Sequence, residues 1–292
     1  MMELPLVVGI DGSDSSLLAV DWAVDEAARR GLPLRLVHAS LWERYEGVRP
    51  SFGTDRPAEQ VMAEHIVASC VERARLRNPE VKASGEVLPD DAVSALLQAG
   101  PEAFALVTGV RGRGQIAGLL LGSVSLAVAA RAVCPVIVVR GAEPNRQGVL
   151  GRVVVGVGDP TGSASAVRFA VREAEARGCD LTAVRAWRSP ANEPVDHMLI
   201  ADDAARLREE RASAGIDDAL REIEQEHPRV DIHHQTVEGP AHHVLLDATA
   251  EADLVVVGAL RRHGRFGLQL GRVAHTLLHH SECPVAVIPQ PV

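Results

Sequence analysis

The stretch Phe104-Ala-Leu-Val-Thr-Gly-Val-Arg-Gly112, followed after nine further residues by Gly122-Ser123, decides how this chain folds. Its apolar start is typical of a buried strand, and the glycines that follow lead into the helix-like residues 124–131. Glycine lets backbone N–H groups approach an anion closely, and a helix N-terminus adds unpaired N–H donors and the positive end of the helix dipole. With Ser123 expected as the N-cap residue, the pattern predicts a strand, a loop and a helix that together cradle phosphate.

Similar segments return later in the chain, which indicates a duplication. Val7-Val-Gly-Ile-Asp-Gly12 recurs 147 residues later as Val154-Val-Gly-Val-Gly-Asp159, and Cys134-Pro-Val136 recurs 149 residues later as Cys283-Pro-Val285. A repeat of about 145 residues is far longer than a solenoid unit and indicates a duplicated domain. We predict one domain over residues 1–142 and a second over residues 151–292, joined by a linker so short that the halves are expected to pack together.

Within each half, short aliphatic runs alternate with amphipathic segments. In the first half the strands are predicted at residues 4–10, 34–39, 81–88, 104–108 and 135–139, and the helices at 15–30, 57–77, 92–99 and 124–131. Five strands joined by helical crossovers predict an α/β fold, with an open parallel sheet covered by helices on both faces. Ligands of such sheets bind beyond the carboxyl ends of the strands, where Asp11, Ala39 and Gly109 are expected to lie.

Composition narrows the class of protein further. Hydrophobic residues make up 47% of the chain but aromatic ones only 3%, so the cores must be aliphatic, as in buried parallel sheets. The net charge of -9 argues against non-specific binding to nucleic acid or to an anionic membrane. The chain shows no secretory signal, no apolar run long enough to span a bilayer and no CxxC pair among its four cysteines. We therefore predict a cytoplasmic protein with neither a nucleic-acid nor a membrane partner.

Three features together resemble the universal stress protein family in its tandem form. Gly109, Gly112, Gly122 and Ser123 match the Gly-x2-Gly-x9-Gly-Ser/Thr pattern of its ATP-binding members, Asp11 matches the aspartate after their first strand, and the duplication covers nearly the whole chain. The resemblance implies two tandem Rossmann-like domains of the adenine nucleotide alpha hydrolase type, each with a five-stranded parallel open sheet. It also implies ATP as the cofactor, with or without Mg²⁺.

The same resemblance assigns roles to residues of the first half. Asp11 would contact the adenine and ribose side of the nucleotide, and the backbone of Ala39 would meet the adenine edge. Thr108 and Gly109 would line the ribose and the α-phosphate. Backbone N–H and hydroxyl donors of five residues would hold the phosphates: Gly112, Gly122, Ser123, Val124 and Ser125.

The second half departs from this pattern. Arg261 stands where the second glycine is expected, Arg272 replaces the Ser/Thr, and Gly158 stands at the position of the first-strand aspartate. Because a bulky side chain hinders the close approach of backbone to phosphate, we expect ATP binding to be lost or weakened there. Binding of another anion through the arginine side chains is the alternative.

The predicted function is an ATP-binding sensor or regulatory module of the stress response, and no catalytic residues are assigned. A slow ATP hydrolase and a nucleotide-independent interaction protein are the alternatives. His275 and His279 are spaced as metal ligands can be, but no cysteine or carboxylate is spaced to complete a site, so no metal site is predicted. Pairing of residues 135–139 with 284–288 would give an intrachain pseudo-dimer, and whole chains could form a homodimer.

Overall fold

The computed structural model describes residues 4–41, 58–112, 121–158, 160–188, 198–259, 262–264 and 267–290. The chain divides into two compact units, Met1–Arg140 and Gly141–Val292. Each unit has a parallel sheet with helices packed against it, which confirms the predicted α/β class.

The first unit contains five parallel strands in the order β3-β2-β1-β4-β5. Its elements are β1 (Leu6–Gly9), α1 (Asp14–Arg30), β2 (Leu34–Ala39), α2 (Ala58–Arg77), β3 (Ala83–Leu88), α3 (Ala92–Ala99), a 3₁₀ turn (Gly100–Glu102), β4 (Ala105–Gly109), α4 (Ser123–Arg131) and β5 (Val136–Val139).

The second unit repeats this order as β8-β7-β6-β9-β12, again all parallel. Its elements are α5 (Glu143–Gln147), β6 (Arg152–Gly156), α6 (Pro160–Arg177), β7 (Asp180–Trp187), α7 (Met198–Glu226), β8 (Ile232–Glu238), α8 (Ala241–Ala248), a 3₁₀ turn (Thr249–Glu251), β9 (Leu254–Ala259), β10 (Arg262–Gly264), β11 (Gly267–Gln269), α9 (Arg272–His280) and β12 (Val285–Pro289). The antiparallel pair of β10 and β11 is an addition that the sequence did not predict.

Local signals explain where helix α1 begins and ends. The Ser13 side chain accepts a hydrogen bond from the backbone N–H of Ser16, which satisfies one donor of the first turn. The helix ends at Gly31, whose φ of 67° lies in the left-handed region that glycine tolerates best. The predicted end of this helix at residue 30 is therefore confirmed, and the helix presents a buried face to the sheet.

The start of α4 differs from the prediction. Gly122, not Ser123, is the N-cap residue, with φ −73° and ψ 148°, and Ser123 is the first residue of the helix. The Gly122 N–H donates to the Val110 carbonyl at 2.7 Å, and the helix begins one residue earlier than the predicted residue 124. This hydrogen bond joins the N-cap residue of α4 to the residue that follows β4.

The segment between the two halves is folded rather than a bare linker. It contains the short helix α5, which ends at Gly148 with φ 71°. The Asn145 side chain is buried, and its amide nitrogen lies 2.8–3.2 Å from the carbonyl oxygens of Thr249, Ala250 and Ala252. These contacts attach the segment to the second unit.

In the part of the chain that the structure describes, no helix combines the length and the apolar composition needed to cross a bilayer.

Candidate functional site

The topology of the first unit creates a crevice at one edge of its sheet. From β1 the chain continues to β2 and β3 on one side, whereas β4 and β5 lie on the other side. Adjacent strands whose connections leave in opposite directions open a crevice beyond their carboxyl ends, which is where ligands of such folds bind. A cavity of about 360 Å³ lies at this position, within the size range of small-molecule sites.

All nine residues predicted to bind the cofactor line this cavity: Asp11, Ala39, Thr108, Gly109, Gly112, Gly122, Ser123, Val124 and Ser125. They come from the loop after β1, the end of β2, the end of β4 with its following loop, and the start of α4. The tertiary structure therefore brings together residues that lie up to 114 positions apart in the sequence.

One wall of the cavity is apolar, and most of it was missed by the sequence analysis. It comprises Gly9, Ile10, Val37, Ala92 and Leu96, in addition to the predicted Ala39. A Cβ atom added to Gly9 would lie 2.9 Å from the Leu96 Cδ1 atom, so helix α3 packs directly over the end of β1. The alternation of Val37 and Ala39 on one face of β2 was the sequence signal for part of this wall. Such a surface suits a flat, weakly polar group.

The glycines line the cavity for different reasons. An added Cβ atom at Gly112 would lie 2.5 Å from the Asp11 Oδ2 atom, so a side chain there would displace this carboxylate. At Gly109 the added atom would lie 2.4 Å from the Ser15 carbonyl oxygen. Gly109 is therefore required by packing of β4 against the start of α1, rather than by access to a ligand.

The start of α4 supplies the hydrogen-bond donors of the cavity. The first helical bond runs from the Leu126 N–H to the Gly122 carbonyl at 3.1 Å. The N–H groups of Ser123, Val124 and Ser125 precede this bond and have no partner within the helix, as helix geometry requires. They lie at the positive end of the helix dipole, where an anion is stabilised.

Two of the predicted phosphate donors are already engaged inside the protein. The Gly122 N–H donates to Val110, as described above, and the Ser125 hydroxyl donates to the Gly109 carbonyl at 2.7 Å. Both bonds hold the loop and the helix against the end of β4. The backbone N–H groups of Ser123, Val124 and Ser125 take no part in these two bonds and lie at the start of α4.

The Asp11 carboxylate connects the loop after β1 to the cavity. Its Oδ1 atom accepts from the Ser13 backbone N–H at 3.0 Å and from the Ser13 hydroxyl at 2.6 Å. Nearby, the Arg111 N–H donates to the Ser15 hydroxyl at 3.2 Å, which joins the loop after β4 to the start of α1. These bonds hold the loop after β1 against the start of α1 and the loop after β4. The Oδ2 atom of Asp11 lies next to Gly112.

The second unit keeps the scaffold but not the polar groups. The Gly158 N–H donates to the Ser163 hydroxyl at 2.8 Å, as the Asp11 N–H donates to Ser16 in the first unit at 3.4 Å. The strand registers and helix starts identify the replacements: Gly158 for Asp11, Val257 for Thr108, Arg272 for Ser123 and Ala274 for Ser125. Arg261, which stands at the position of the second glycine, and Asp159, which follows Gly158, lie outside the described residues.

Cationic residues lie near this edge of the second unit. Arg272 is exposed at the first position of α9. Burial lowers the pKa of His242, and the positive charges of His243, Arg272 and Arg188 lower it further. The shift favours the neutral imidazole of His242.

Two histidines of the second unit, His275 and His279, have a spacing in the sequence that metal ligands can have. The His275 and His279 rings stack on each other, with centroids 4.5 Å apart. The possible ligand atoms of Asp180, Asp231 and His233 form a separate group in which all atoms lie within 4.8 Å of one another, at an exposed position. Exposed acidic groups are common without a metal ion, so this cluster carries no assignment.

Comparison with known proteins places these observations in a family context. A model of the universal stress protein family matches residues 4–140 and again residues 150–289. Universal stress protein Rv2623 of Mycobacterium tuberculosis is 31% identical over 310 residues, covering 97% of this chain and 96% of the relative. A crystal structure of a universal stress protein from Archaeoglobus fulgidus has a TM-score of 0.68 at 18% identity and covers 100% of both chains, which supports the fold. A universal stress protein crystallised in complex with cAMP matches 48% of this chain at 32% identity, with a TM-score of 0.37.

Proposed function

The chain belongs to the universal stress protein family, which matches both of its halves, and from this membership we propose that the first unit binds ATP within a sensor or regulatory module. The observation that carries the proposal is the start of α4, where three backbone N–H groups without a helical partner line the cavity. Gly112 and Gly122 line the same cavity and carry no side chain that could occupy it.

The two sides of the cavity suit the two ends of a nucleotide. The apolar wall beside Val37 and Leu96 matches the flat face of a base. The start of α4 offers hydrogen bonds and dipole stabilisation to phosphate oxygens. The Asp11 carboxylate supplies an acceptor for a hydroxyl or amino group of the nucleoside.

We assign the nucleotide to the first unit only. The replacement of Asp11 and Ser125 by Gly158 and Ala274 removes two polar side chains from the equivalent edge of the second unit, and Arg272 puts a bulky side chain at the position of Ser123. A stoichiometry of one ATP per chain follows. The cAMP complex of a family member makes cAMP the natural competitor to test.

Binding would act on the chain by mass action. At a free ATP concentration one hundredfold above Kd, the ligand would raise the free energy of unfolding of the protein by about 2.7 kcal/mol. ATP bound at the start of α4 would change the surface there, and a protein partner could recognise that change. Pairing of the units through their last strands, a homodimer and a cytoplasmic location stay predictions, as does any role for Mg²⁺.

Native mass spectrometry of the purified full-length chain with added ATP tests the proposal. We expect one ATP per chain, unchanged in Arg272→Ala because this side chain belongs to the second unit. Failure to bind at millimolar ATP, or two nucleotides per chain, would contradict the assignment. Incubation with ATP and Mg²⁺ tests the hydrolase alternative, since accumulation of ADP would indicate turnover.

A further inference from the structure

Arg111 is the one cationic side chain among the described residues that line the cavity of the first unit. It follows the end of β4 by two residues and is exposed to solvent. Within the described part of the chain, its guanidinium has neither a hydrogen bond nor an ion pair. A charged group at the rim of a cavity that has no partner in the protein can bind a ligand without first breaking another contact.

The main chain of Arg111 is held on both sides by the start of helix α1. Its N–H donates to the Ser15 hydroxyl at 3.2 Å, and its carbonyl oxygen lies 3.3 Å from the Ser13 hydroxyl. These contacts fix the point from which the side chain extends before any ligand is bound. Fixing the main chain in advance lowers the conformational entropy that is lost when the side chain binds a ligand.

The Arg111 backbone also contacts the residue at which α4 begins. An added Cβ atom at Gly122 would lie 3.5 Å from the Arg111 Cα atom, and Gly122 is the N-cap residue of α4. The N–H groups that follow in the first turn of this helix have no helical partner. The Arg111 side chain therefore starts beside the donors that we propose for the phosphates, and its guanidinium adds N–H donors at that end of the cavity.

The charges around the cavity favour a role for this cation. The start of a helix carries only about half a positive charge, and Asp11 adds a negative charge to the same cavity. Because a triphosphate carries several negative charges, the helix start alone balances its outer phosphates poorly. The guanidinium of Arg111 supplies a full positive charge and a planar fork that matches the geometry of phosphate oxygens.

We propose that Arg111 binds the β- and γ-phosphates and makes the first unit select nucleoside triphosphates over nucleoside monophosphates and cAMP. This inference rests on the proposed function of the first unit and specifies which nucleotides that site prefers. A single phosphate is satisfied by the N–H groups at the start of α4, so its binding does not need the guanidinium. The outer phosphates of ATP extend beyond those donors and need the side chain.

Calorimetric titration of wild type and of Arg111→Gln with ATP, AMP and cAMP tests the inference, with Mg²⁺ omitted because it would mask the phosphate charges. We expect the variant to bind ATP about ten- to a hundredfold more weakly, the range that charge-assisted hydrogen bonds cover. Its affinity for AMP and cAMP should change less than about twofold. Arg111→Lys, which keeps the charge but not the fork, should recover part of the loss.

Arg131→Gln is the matched control, because it removes the same charge from the exposed last residue of α4. That position lies roughly 12 Å along the helix from its start, beyond the screening length of about 8 Å at physiological ionic strength. ATP affinity should therefore stay at the wild-type value. An equal loss in this control would indicate a general effect of charge and overturn the inference.

Three further outcomes would contradict the role of Arg111. ATP affinity unchanged in Arg111→Gln would show that the guanidinium does not contact the phosphates. An equal loss for ATP, AMP and cAMP would show that the residue shapes the cavity instead. Wild type that binds AMP and cAMP as tightly as ATP would remove the selectivity but leave nucleotide binding intact. Wild type that binds none of the three nucleotides would instead contradict the proposed function itself.

Discussion

Substitution of Gly122 by valine, compared with the same change at Gly271, tests the phosphate-binding site most directly. Both glycines are N-cap residues in extended conformation, with φ and ψ of −73° and 148° at Gly122 and −62° and 159° at Gly271. Valine adopts this conformation readily. An added Cβ atom at Gly122 would lie 3.2 Å from the Val110 carbonyl oxygen and 3.5 Å from the Arg111 Cα atom, whereas at Gly271 it would meet nothing within 4 Å.

Valine at Gly122 lowers stability through two effects, loss of the glycine N-cap and crowding against Val110, and only the first applies at Gly271. Loss of a glycine N-cap should cost each variant about 0.5–1 kcal/mol. Crowding against Val110 should cost Gly122→Val a further 1–3 kcal/mol or so, because retreat of the loop would break the bond between the Gly122 N–H and the Val110 carbonyl. The displaced loop and the valine methyl groups should also obstruct the N–H groups of α4, and we expect ATP affinity to fall by about a hundredfold or more.

Thermal denaturation with and without ATP measures this loss. At ATP one hundredfold above the wild-type Kd, wild type and Gly271→Val should gain about 2.7 kcal/mol, a rise in melting temperature of roughly 5–10 °C. Gly122→Val should gain about 0.4 kcal/mol or less under the same conditions. Circular dichroism of each variant checks that it is folded before ligand is added. A full ATP shift in Gly122→Val, or its loss in Gly271→Val, would refute the placement of the phosphates at α4.

Two further predictions concern the fold and the thiols. Asn145→Ala should lower the free energy of unfolding by about 2–3 kcal/mol, because three carbonyl groups lose the same buried donor; a change below about 0.5 kcal/mol in denaturant titration would show that α5 is not held by this side chain. Burial raises the pKa of the Cys134 thiol to about 11, so the reactive thiolate is scarce at pH 7 and increases as the pH rises toward that pKa. Alkylation of Cys134 in the native chain, followed by mass spectrometry, should therefore be slow at pH 7 and accelerate in denaturant; rapid native labelling would contradict this.

Much of the fold was predictable because its signals are local. The predicted helix at residues 92–99 matches α3, since Asp91 accepts hydrogen bonds from the N–H groups of Val93 and Ser94 and so marks the first turn. The duplication predicted a second five-stranded parallel sheet, and the strand pairings of the second unit confirm it. The pairing of β10 with β11 was not predicted, since short strands within a loop carry little periodic signal.

The sequence predicted which residues line the candidate site, but it did not predict the role of each residue. The spacing of Gly109, Gly112 and Gly122 predicted a loop that would approach a ligand, and all three glycines line the cavity. Their separate functions could not be inferred, because the packing of Gly109 on Ser15 joins segments more than 90 residues apart. The engagement of Ser125 with the Gly109 carbonyl is hidden from the sequence for the same reason.

By itself, the sequence determined the alternation of strands and helices, the duplication and the glycine-rich loop, because turn chemistry and hydrophobic periodicity act between near neighbours along the chain. Only the tertiary structure decided which polar groups still lack a partner once the protein has folded. The Ser125 hydroxyl donates to the Gly109 carbonyl and the Gly122 N–H donates to the Val110 carbonyl, while the first N–H groups of α4 lie at the cavity without a partner in the helix. Hydrogen-bond satisfaction depends on contacts across the fold, and the chemistry of the site follows from what remains unpaired.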